Sequence, residues 1–531
     1  MSRSNITLLA GIVAMAQVKA QLPVQKAIDV QGSAPTFYHV VQASDGGAFV
    51  RSSVTGSWAW MKYDPDLQPL WGVVSGLALG PRQDGGCSLS MSTAQYTTWW
   101  DSLIMEVDLS VLDPSGVLVA SAKTSFLCND DNINIAFPNV STSDTIGSNF
   151  IATPAFGDSE GLSYVVGADG LGQASWVTKL DGAIARAMVS DGSGGCVVVG
   201  YREGPGSEHL TVSHLDGFGH AAFHNEYQFP AGLVSVPANV EVINGAIAVF
   251  SNHQGSVSRL MLDMTGNIQE CHLYGLVPPP NLSTPFGIYS AGSLANGETV
   301  WVGEHANPNG KVVLMRCLPG GGPIEAVSFK RHTIQDIESA YGVHSACAGQ
   351  GGVTILGDHV LTNTIFQTTE QHGFLWKING QFSMLCGAET QQFDHTVLDP
   401  AQFTIGSLST MEGIVFTTTP MPFAPAPVSP YATSDFCALV GLNEQVGTQQ
   451  NALFELERNL LFHSDQLVIY VMRDQELQVL DFSGRTVLSG VEVDRSDVVR
   501  IPLDDLPQGP YLIQARSDEG IVRTERFMKL D

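Results

Sequence analysis

The chain has 531 residues, of which 15% are charged, and its 52 acidic and 25 basic side chains give a net charge of −27. So negative a surface repels phosphate backbones, which excludes nucleic acid as an expected partner. After the N-terminus, no segment reaches the roughly 18 apolar residues that a transmembrane helix needs, so no transmembrane segment is expected. The 55 glycines and the many short apolar runs between polar turns favour an all-β protein.

The first twenty residues, MSRSNITLLAGIVAMAQVKA, have the pattern of a signal peptide. Arg3 precedes an apolar run, and the run ends before the small-residue site Val18-Lys19-Ala20. Residues 1–20 are therefore predicted to be removed, and the protein to be secreted or displayed at the cell surface. In an oxidising compartment the eight cysteines could form disulfides, and buried thiols are the open alternative.

A turn with glycine, followed by a short strand of alternating apolar residues, recurs along the body. The turn glycines are Gly47, Gly86, Gly161, Gly195, Gly245, Gly297 and Gly352, with Gly413 in a weaker eighth copy. A second hairpin follows in most units, as in HLTVSHLDGFGHAAF. Each unit therefore holds about four strands, and successive turn glycines are 34 to 75 residues apart. Such a period is typical of propeller blades.

The sequence predicts a β-propeller of seven or eight four-stranded blades over residues 21–417. The N-terminal VQKAIDV is expected to complete the last blade and close the ring. The longest interval is interpreted as an insertion over residues 123–149 that projects as a loop. A set of stacked β-sandwiches is the alternative architecture.

Gly157-Asp158-Ser159-Glu160-Gly161 matches the G-x-S-x-G pattern of serine hydrolases. A nucleophile elbow needs a helix after the serine, whereas LSYVVG predicts a strand. Ser159 is therefore predicted to be a turn residue, equivalent to the other glycine turns. The chain shows no other catalytic motif, so no residue is nominated as catalytic.

Two stretches carry candidate ligand sites. Tyr96, Trp99 and Trp100 in AQYTTWWDS could form a platform on which a sugar ring stacks, and packing between blades is the alternative. Asp130 and Asp131 in NDDN supply the oxygen ligands that Ca²⁺ favours, and a solvated loop is the alternative. No other cofactor is expected.

Near residue 418 the composition changes. Residues 418–451 contain a proline-rich stretch, PMPFAPAPVSP, which predicts a linker or an edge segment of the last blade. From residue 452 onwards charge rises, cysteine is absent and short strands follow one another. Residues 452–531 are predicted to form a small immunoglobulin-like β-sandwich.

Three motifs in this tail occur in a fixed order. They are Asp481, Gly484 and Arg485 in LDFSGR, then Leu506, Gly509 and Tyr511 in LPQGPYLIQA, then Phe527 and Lys529 in ERFMKLD. The tail resembles the type A C-terminal sorting domain of the Bacteroidetes type IX secretion system, although ELERNLLFHSDQLVIYV replaces the Pro-Asn-Pro opening that is usual in that family. The resemblance implies a cargo that the type IX machinery exports across the outer membrane and then releases or anchors.

The expected function is a propeller that acts as a binding or adhesion module for a glycan, a peptide or a surface polymer. A polymer-degrading hydrolase or lyase is the alternative, because carboxylates from separate blades could converge without any linear motif. A passive surface-layer protein without a specific ligand is a third interpretation.

Overall fold

A computed structural model describes residues 24–28, 37–54, 57–75, 78–96, 103–128, 134–135, 139–144, 147–156, 161–204, 207–230, 233, 235–253, 256–276, 286–294, 296–305, 311–329, 332–334, 337–349, 352–363, 368–378, 382, 388–390, 392–421, 426–435, 454–456, 460–461, 466–471, 475–481, 485–493, 498–502, 506–507, 509–517 and 522–529. In these ranges no helix is long and apolar enough to cross a membrane.

Short strands make up the body. In chain order they are β1 (Val24–Ile28), β2 (Phe37–Gln42), β3 (Ala48–Val54), β4 (Ser57–Tyr63), β5 (Pro69–Val74), β6 (Ala78–Pro81), β7 (Cys87–Tyr96), β8 (Leu103–Leu112), β9 (Leu118–Cys128), β10 (Asn134–Ile135), β11 (Val140–Ser143), β12 (Asn149–Phe156), β13 (Gly161–Ala168), β14 (Ala174–Asp181), β15 (Ile184–Ser190), β16 (Cys196–Gly204), β17 (Ser207–Leu215), β18 (Ala221–Gln228), β19 (Val236–Ile243), β20 (Ala246–His253), β21 (Ser256–Asp263), β22 (Ile268–Leu276), β23 (Phe286–Ser293), β24 (Thr299–His305), β25 (Lys311–Cys317), β26 (Pro323–Phe329), β27 (His332–Ile334), β28 (Ile337–Gly349), β29 (Gly352–Asn363) and β30 (Thr368–Ile378).

These strands form seven antiparallel sheets, which are the blades of a β-propeller. Blade 1 holds β2 to β5, blade 2 holds β6 to β9, blade 3 holds β10 to β14, blade 4 holds β15 to β18, blade 5 holds β19 to β22, blade 6 holds β23 to β26, and blade 7 holds β27 to β30 with β1. The predicted propeller is thus confirmed with seven blades in the described ranges, and the stacked-sandwich alternative is wrong.

The N-terminal strand closes the ring. β1 pairs antiparallel with β30, from Val24 opposite Lys377 to Ile28 opposite Gly373, and so becomes the fourth strand of blade 7. Ile28 is buried with Leu356 and Leu375 of blade 7 in a cluster that also includes blade 1 residues. The expected closure by VQKAI is confirmed, and it joins the first strand of the chain to its last blade.

A second segment encircles the propeller. Residues 388–435, here called the belt, contain β31 (Ala388–Thr390), β32 (Phe393–Leu398), β33 (Thr404–Ser407), β34 (Thr410–Met411), β35 (Phe416–Pro420), β36 (Ala426–Val428) and β37 (Thr433–Asp435), with a 3-10 turn at Pro400–Gln402. The belt strands add a fifth strand to blades 6, 5, 4, 3, 2 and 1 in that order, and β37 finally pairs with β1 on blade 7. The belt therefore runs round the ring against the order of the blades.

The belt revises two sequence interpretations. Gly413, expected in an eighth copy of the blade turn, lies between belt strands β34 and β35. Part of the proline-rich stretch also contributes belt strands, with Pro420 at the end of β35 and Pro427 within β36. Proline is tolerated there because an outermost strand needs backbone donors on one side only.

Aspartate turns join two strands at one end of blades 1 to 5. The Oδ1 atoms of Asp64, Asp113, Asp169, Asp216 and Asp263 each accept hydrogen bonds from the backbone N–H groups two and four residues later. Such Asx turns fix the hairpin between the third and fourth strands of blades 1 to 5.

The same turns bind neighbouring blades together. Trp71 Nε1 donates to Pro114 O of the next blade at 2.8 Å, and Tyr227 Oη donates to Gly266 O at 2.7 Å. Trp176 and Tyr274 donate in the same way to turn carbonyls of blades 4 and 6. Gly116 has φ 83°, and a Cβ there would lie 2.7 Å from the Trp71 ring. Glycine is therefore required both by the backbone and by the aromatic ring of the preceding blade.

The core lies between blades. One cluster joins Phe250 and Tyr274 of blade 5 to Trp301 of blade 6, and Phe250 meets Trp301 edge to face at a centroid distance of 5.2 Å. Such a ring pair adds about 1 kcal/mol beyond the area that it buries. Because each blade covers its neighbour, the blades need the closed ring to complete their core.

The expected insertion over residues 123–149 is wrong. Lys123 to Cys128 belong to β9, while β10 and β11 form the inner strand of blade 3. The interval looked long because Gly161 begins the third strand of blade 3, whereas the turn equivalent to Gly47 contains Gly147. Ser159 itself lies outside the described residues, and its segment joins the second strand to the third.

The cysteines favour the thiol alternative where they are described. Six of them are free, and Cys87, Cys128, Cys196, Cys271 and Cys317 are buried. Burial raises the pKa of the Cys87 and Cys271 thiols to about 12. These thiols therefore stay protonated and pack as small apolar groups.

The tail forms two further sheets. Its strands are β38 (Phe454–Leu456), β39 (Leu460–Leu461), β40 (Gln466–Val471), β41 (Gln475–Asp481), β42 (Thr486–Val493), β43 (Val498–Pro502), β44 (Gly509–Ser517) and β45 (Val522–Lys529). One sheet has the order β38-β40-β43 and the other β39-β45-β44-β41-β42. Leu467 and Ile469 of the first sheet share a buried cluster with Leu477, Ile513 and Phe527 of the second.

Candidate binding site at the channel mouth

The inner strands of the seven blades surround a central channel. β2, β6, β11, β15, β19, β23 and β28 contact one another in that cyclic order. Because strands alternate in direction, the turns from first to second and from third to fourth strand lie on one face, here called the turn face. The connections from second to third strand and from blade to blade lie on the opposite face, called the loop face.

Five inner strands carry a β-bulge at a similar distance from the turn that follows them, near the loop-face end of β2, β15, β19 and β23 and in the middle of the longer β28. The bulges lie between Phe37 and His39, Ala185 and Ala187, Pro237 and Asn239, Ile288 and Ser290, and Val343 and Ser345. A bulge turns one side chain out of the regular alternation and is common beside functional sites. Blades 4, 5, 6 and 7 therefore present an extra side chain at the channel mouth.

The neighbouring second strand explains where the bulges form. The residues opposite the start of each bulge are small: Ser52, Gly200, Ser251, Gly303 and Gly357. At Gly200 a Cβ would lie 2.3 Å from the backbone oxygen of Ile184. The bulge of blade 4 therefore needs a residue without a side chain at this position.

The bulged residues supply varied chemistry. Arg186, Tyr289 and His344 are exposed, and Ala238 is half-buried. Arg186 Nη2 donates to Tyr201 Oη at 3.2 Å, and its guanidinium lies 5.1 Å from the Tyr201 ring centroid. His344 Nε2 lies 2.6 Å from Asp358 Oδ2. The mouth thus offers a cation, an aromatic ring and an imidazole held by a carboxylate.

Blade 1 adds further polar and aromatic side chains beside the bulged residues. His39 Nδ1 lies 3.1 Å from Ser345 Oγ of blade 7, and the same hydroxyl accepts from Val40 N. The guanidinium of Arg51, which pairs with His39 in the sheet, lies 4.9 Å from the Trp58 ring centroid. Cation–π and hydrogen-bonding groups therefore meet where the ring closes.

The sequence contained a signal for these residues. In CVVVGY, ETVWVG, VTILG and AIAVFS a mostly apolar run ends in glycine or serine at the residue opposite the bulge, and in AFVRSS Arg51 precedes that serine. This pattern could have predicted the positions of the bulges. It could not predict which side chains meet at the mouth, because they come together only when the inner strands form the ring.

The candidate residues from the sequence lie mostly outside the described ranges. Trp99 and Trp100 belong to the connection between β7 and β8, and Tyr96 ends β7 opposite Leu103, at the loop-face end of blade 2. Asp130 and Asp131 belong to the connection from β9 to β10. The structure places no metal-binding group of three or more His, Cys, Asp or Glu residues within the described ranges.

The residues of the three tail motifs, where they are described, lie on or beside the second sheet of the tail. Asp481 pairs with Tyr511, and Gly509 with Lys529, in adjacent strand ladders. Tyr511 and Phe527 stack at a centroid distance of 5.4 Å, and Lys529 Nζ donates to Leu506 O. Arg485 is exposed just before β42, while Gly484 lies outside the described residues.

No family model and no curated protein matches the chain. The WD40 domain of SCAP from fission yeast is similar in structure, with 11% identity, a TM-score of 0.33 and coverage of 72% of this chain and 94% of that chain. Prolyl oligopeptidase B from Galerina marginata has 10% identity and a TM-score of 0.33 over 69% of this chain and 52% of that chain. NanB sialidase from Streptococcus pneumoniae has 9% identity and a TM-score of 0.20 over 71% and 70%. These similarities are weak, and the seven sheets of this chain define its architecture by themselves.

Proposed function

We propose that this protein is an exported cargo of type IX secretion, released or held at the cell surface, and that its propeller binds a glycan, a peptide or a surface polymer at the loop-face mouth of the channel. The observation that carries the binding role is the ring of bulges. Four blades place Arg186, Ala238, Tyr289 and His344 at one level of the channel mouth.

The chemistry of the mouth suits a polar ligand with apolar faces. Tyr289 is 38% exposed and offers a ring on which a sugar or a peptide side chain can stack. His344 and Arg186 are already held by Asp358 and Tyr201, so little rotamer entropy is lost when a ligand contacts them. Preorganised polar groups around an aromatic ring are typical of binding sites in rigid scaffolds.

The export role is supported by the two chain ends. The N-terminal residues carry the signal-peptide pattern, and the tail carries the three sorting motifs in order. Tyr511 Oη donates to Pro507 O at 2.7 Å and Lys529 Nζ donates to Leu506 O, so residues of the second and third motifs contact each other. An immunoglobulin-like sorting domain over residues 452–531 is part of this proposal.

The binding role is tested by calorimetric titration of residues 21–531 with polysaccharide fragments and peptides. Tyr289→Ala and His344→Ala should each weaken binding at least ~10-fold, since a central contact is worth more than ~1.4 kcal/mol. Trp99→Ala with Trp100→Ala shows whether the neighbouring connection of blade 2 contributes.

Phe218→Ala is the matched control, because Phe218 is an aromatic residue that is 78% exposed in a turn-face hairpin. Its affinity should equal that of the unchanged protein. Equal affinity for all variants would place the ligand elsewhere, and cleavage of the polymer during titration would identify the enzyme alternative.

A further inference from the structure

The belt is attached to blade 5 through a pair of histidines. Belt strand β32 pairs with the outer strand β22, which sets His395 opposite Tyr274 and Val397 opposite His272. His272 is buried and His395 is half-buried. His272 Nδ1 lies 2.9 Å from His395 Nε2, and the two rings are inclined by only 17°.

An N–H···N hydrogen bond needs one nitrogen with a free lone pair. A neutral imidazole has one such nitrogen, whereas a protonated imidazole carries hydrogen on both nitrogens. When both rings are protonated, two N–H groups and two positive charges face each other at 2.9 Å. We propose that the His272–His395 pair is an acid-sensitive fastening, and that protonation of both rings releases β32 of the belt from blade 5.

Two charged side chains lie near His272. His272 Nε2 lies 3.4 Å from Glu270 Oε2, and Glu270 Oε1 lies 3.6 Å from Arg259 Nη2 on β21. One hydrogen between His272 Nδ1 and His395 Nε2 makes the N–H···N bond. A hydrogen on each of these two nitrogens breaks it.

No other described group can stabilise two charged rings. From β22 the Tyr274 ring stacks on His395 at 5.1 Å, while its hydroxyl donates to Gly321 O of blade 6. Blade 6 also supplies Cys317, whose thiol stays protonated because burial raises its pKa to about 12. The neighbouring belt residue Asp394 pairs with Gly275 and is exposed to solvent.

His272 has no room to rotate away from the repulsion. A Cβ on Gly321 would lie 2.4 Å from its Cε1 atom, which shows how closely the turn of blade 6 covers the ring. The belt strand has the outer position and is paired on one side only, so β32 is the part that moves. Release of β32 breaks its backbone hydrogen bonds to β22, and the loss of these bonds opposes release.

The direction of the pH effect follows from linkage. Burial, and then the charge of His272, lowers the pKa of His395 below the ordinary value of 6.5. A released β32 takes up a proton near pH 6.5, whereas the attached strand resists it. Attachment is therefore complete above about pH 6.5 and weakens progressively as the pH falls below it.

Hydrogen exchange on the full chain tests this fastening. Peptides covering residues 393–398 are compared at pH 7.5 and pH 5.0, after correction for the intrinsic pH dependence of exchange. We expect β32 to open more readily at pH 5.0 than at pH 7.5, because the released strand binds a proton that the attached strand resists. Belt strand β35, with the sequence FTTTP, pairs with Ala122 to Phe126 of blade 2. Neither segment contains a histidine, so its exchange should not change.

His395→Phe keeps an aromatic ring against Tyr274 but cannot be protonated, so its β32 should show the same opening at both pH values. His272→Gln removes the charge of the partner ring and should reduce the response to the part that burial of His395 causes. It covers the case in which the first variant folds poorly. His220→Asn, on the turn face, is the control for general histidine effects and should behave as the unchanged protein. A pH response that persists in His395→Phe, or its absence in the unchanged protein, would overturn the proposal.

Discussion

Glu241 on the inner strand β19 illustrates how one residue departs from the repeat. The equivalent positions after the bulge in blades 1 and 4 are Val41 and Val189, and in blade 6 the position is the buried Gly292. Glu241 Oε2 accepts the backbone N–H of Ser293 at 2.7 Å, and Asn239, two residues earlier, donates its side-chain amide to Ala291 O. The two side chains fasten blade 5 to the inner strand of blade 6.

Burial raises the pKa of Glu241 to about 7. The native state therefore keeps a proton that the unfolded chain loses above about pH 4.3, and stability falls as the pH rises from there to about 7. Glu241→Gln should remove this loss and be more stable than the unchanged protein by about 3 kcal/mol at pH 8, with little difference near pH 4.5. Urea unfolding at both pH values measures it. The control Glu203→Gln, at an exposed position, should show no such gain. If the stability of the Glu241 variant changes with pH as that of the unchanged protein does, the prediction is contradicted.

At the scale of elements, the belt covers the outer strand edge of every blade. The fourth strand of a blade exposes a row of unpaired backbone groups, which can pair with another chain. Seven belt strands occupy these edges, and β37 lies beside β1, so the belt also covers the strand that closes the ring. Tyr431 Oη donates to Ser53 O and Thr433 Oγ1 donates to Leu67 O, which fixes the end of the belt on blade 1.

A chain that ends at residue 387 should therefore lose stability and self-associate, because seven outer edges become available for pairing. Light scattering during size-exclusion chromatography measures the mass, and urea unfolding measures the stability. A chain that ends at residue 435 keeps the belt and should remain monodisperse. If the shorter chain is equally stable and equally monodisperse, the belt is dispensable for both properties.

At the scale of the whole molecule, the chain combines a closed propeller with a tail that has its own core. The nine buried residues of the tail cluster lie on β40, β41, β43, β44 and β45. No residue of this cluster comes from the propeller, so the tail does not need the blades to bury its apolar side chains. A tail of this kind can carry a transport signal without disturbing the body.

Deletion of residues 452–531 should retain the protein in the periplasm of a host that has the type IX machinery, while the full chain reaches the surface or the medium. Cell fractionation with immunodetection measures the distribution. The same residues attached to a periplasmic reporter protein should carry that reporter out of the cell. Surface delivery of the deleted chain, or failure of the reporter fusion, would refute the sorting role.

Local patterns predicted the blades well. The glycine turns and alternating strands led to a propeller of seven or eight blades, and VQKAI was expected at the closure. They failed where two different connections of a blade have the same local pattern of a glycine before an apolar strand. Gly147 and Gly161 both fit this pattern, although only Gly147 lies in the turn between the first and second strands of blade 3. Gly413 has φ 66° and fits a turn equally well, yet it belongs to the belt.

Local sequence was sufficient for the period, the turns, the closing strand and the candidate sorting motifs, because each depends on residues close together along the chain. The belt, the channel mouth and the histidine fastening emerged only from the folded chain. Belt strands of two to six residues are too short to be stable by themselves and gain order from the blade edges that they meet. His272 and His395 are 123 residues apart in the chain, and nothing local to either histidine indicates that folding brings the two rings into contact.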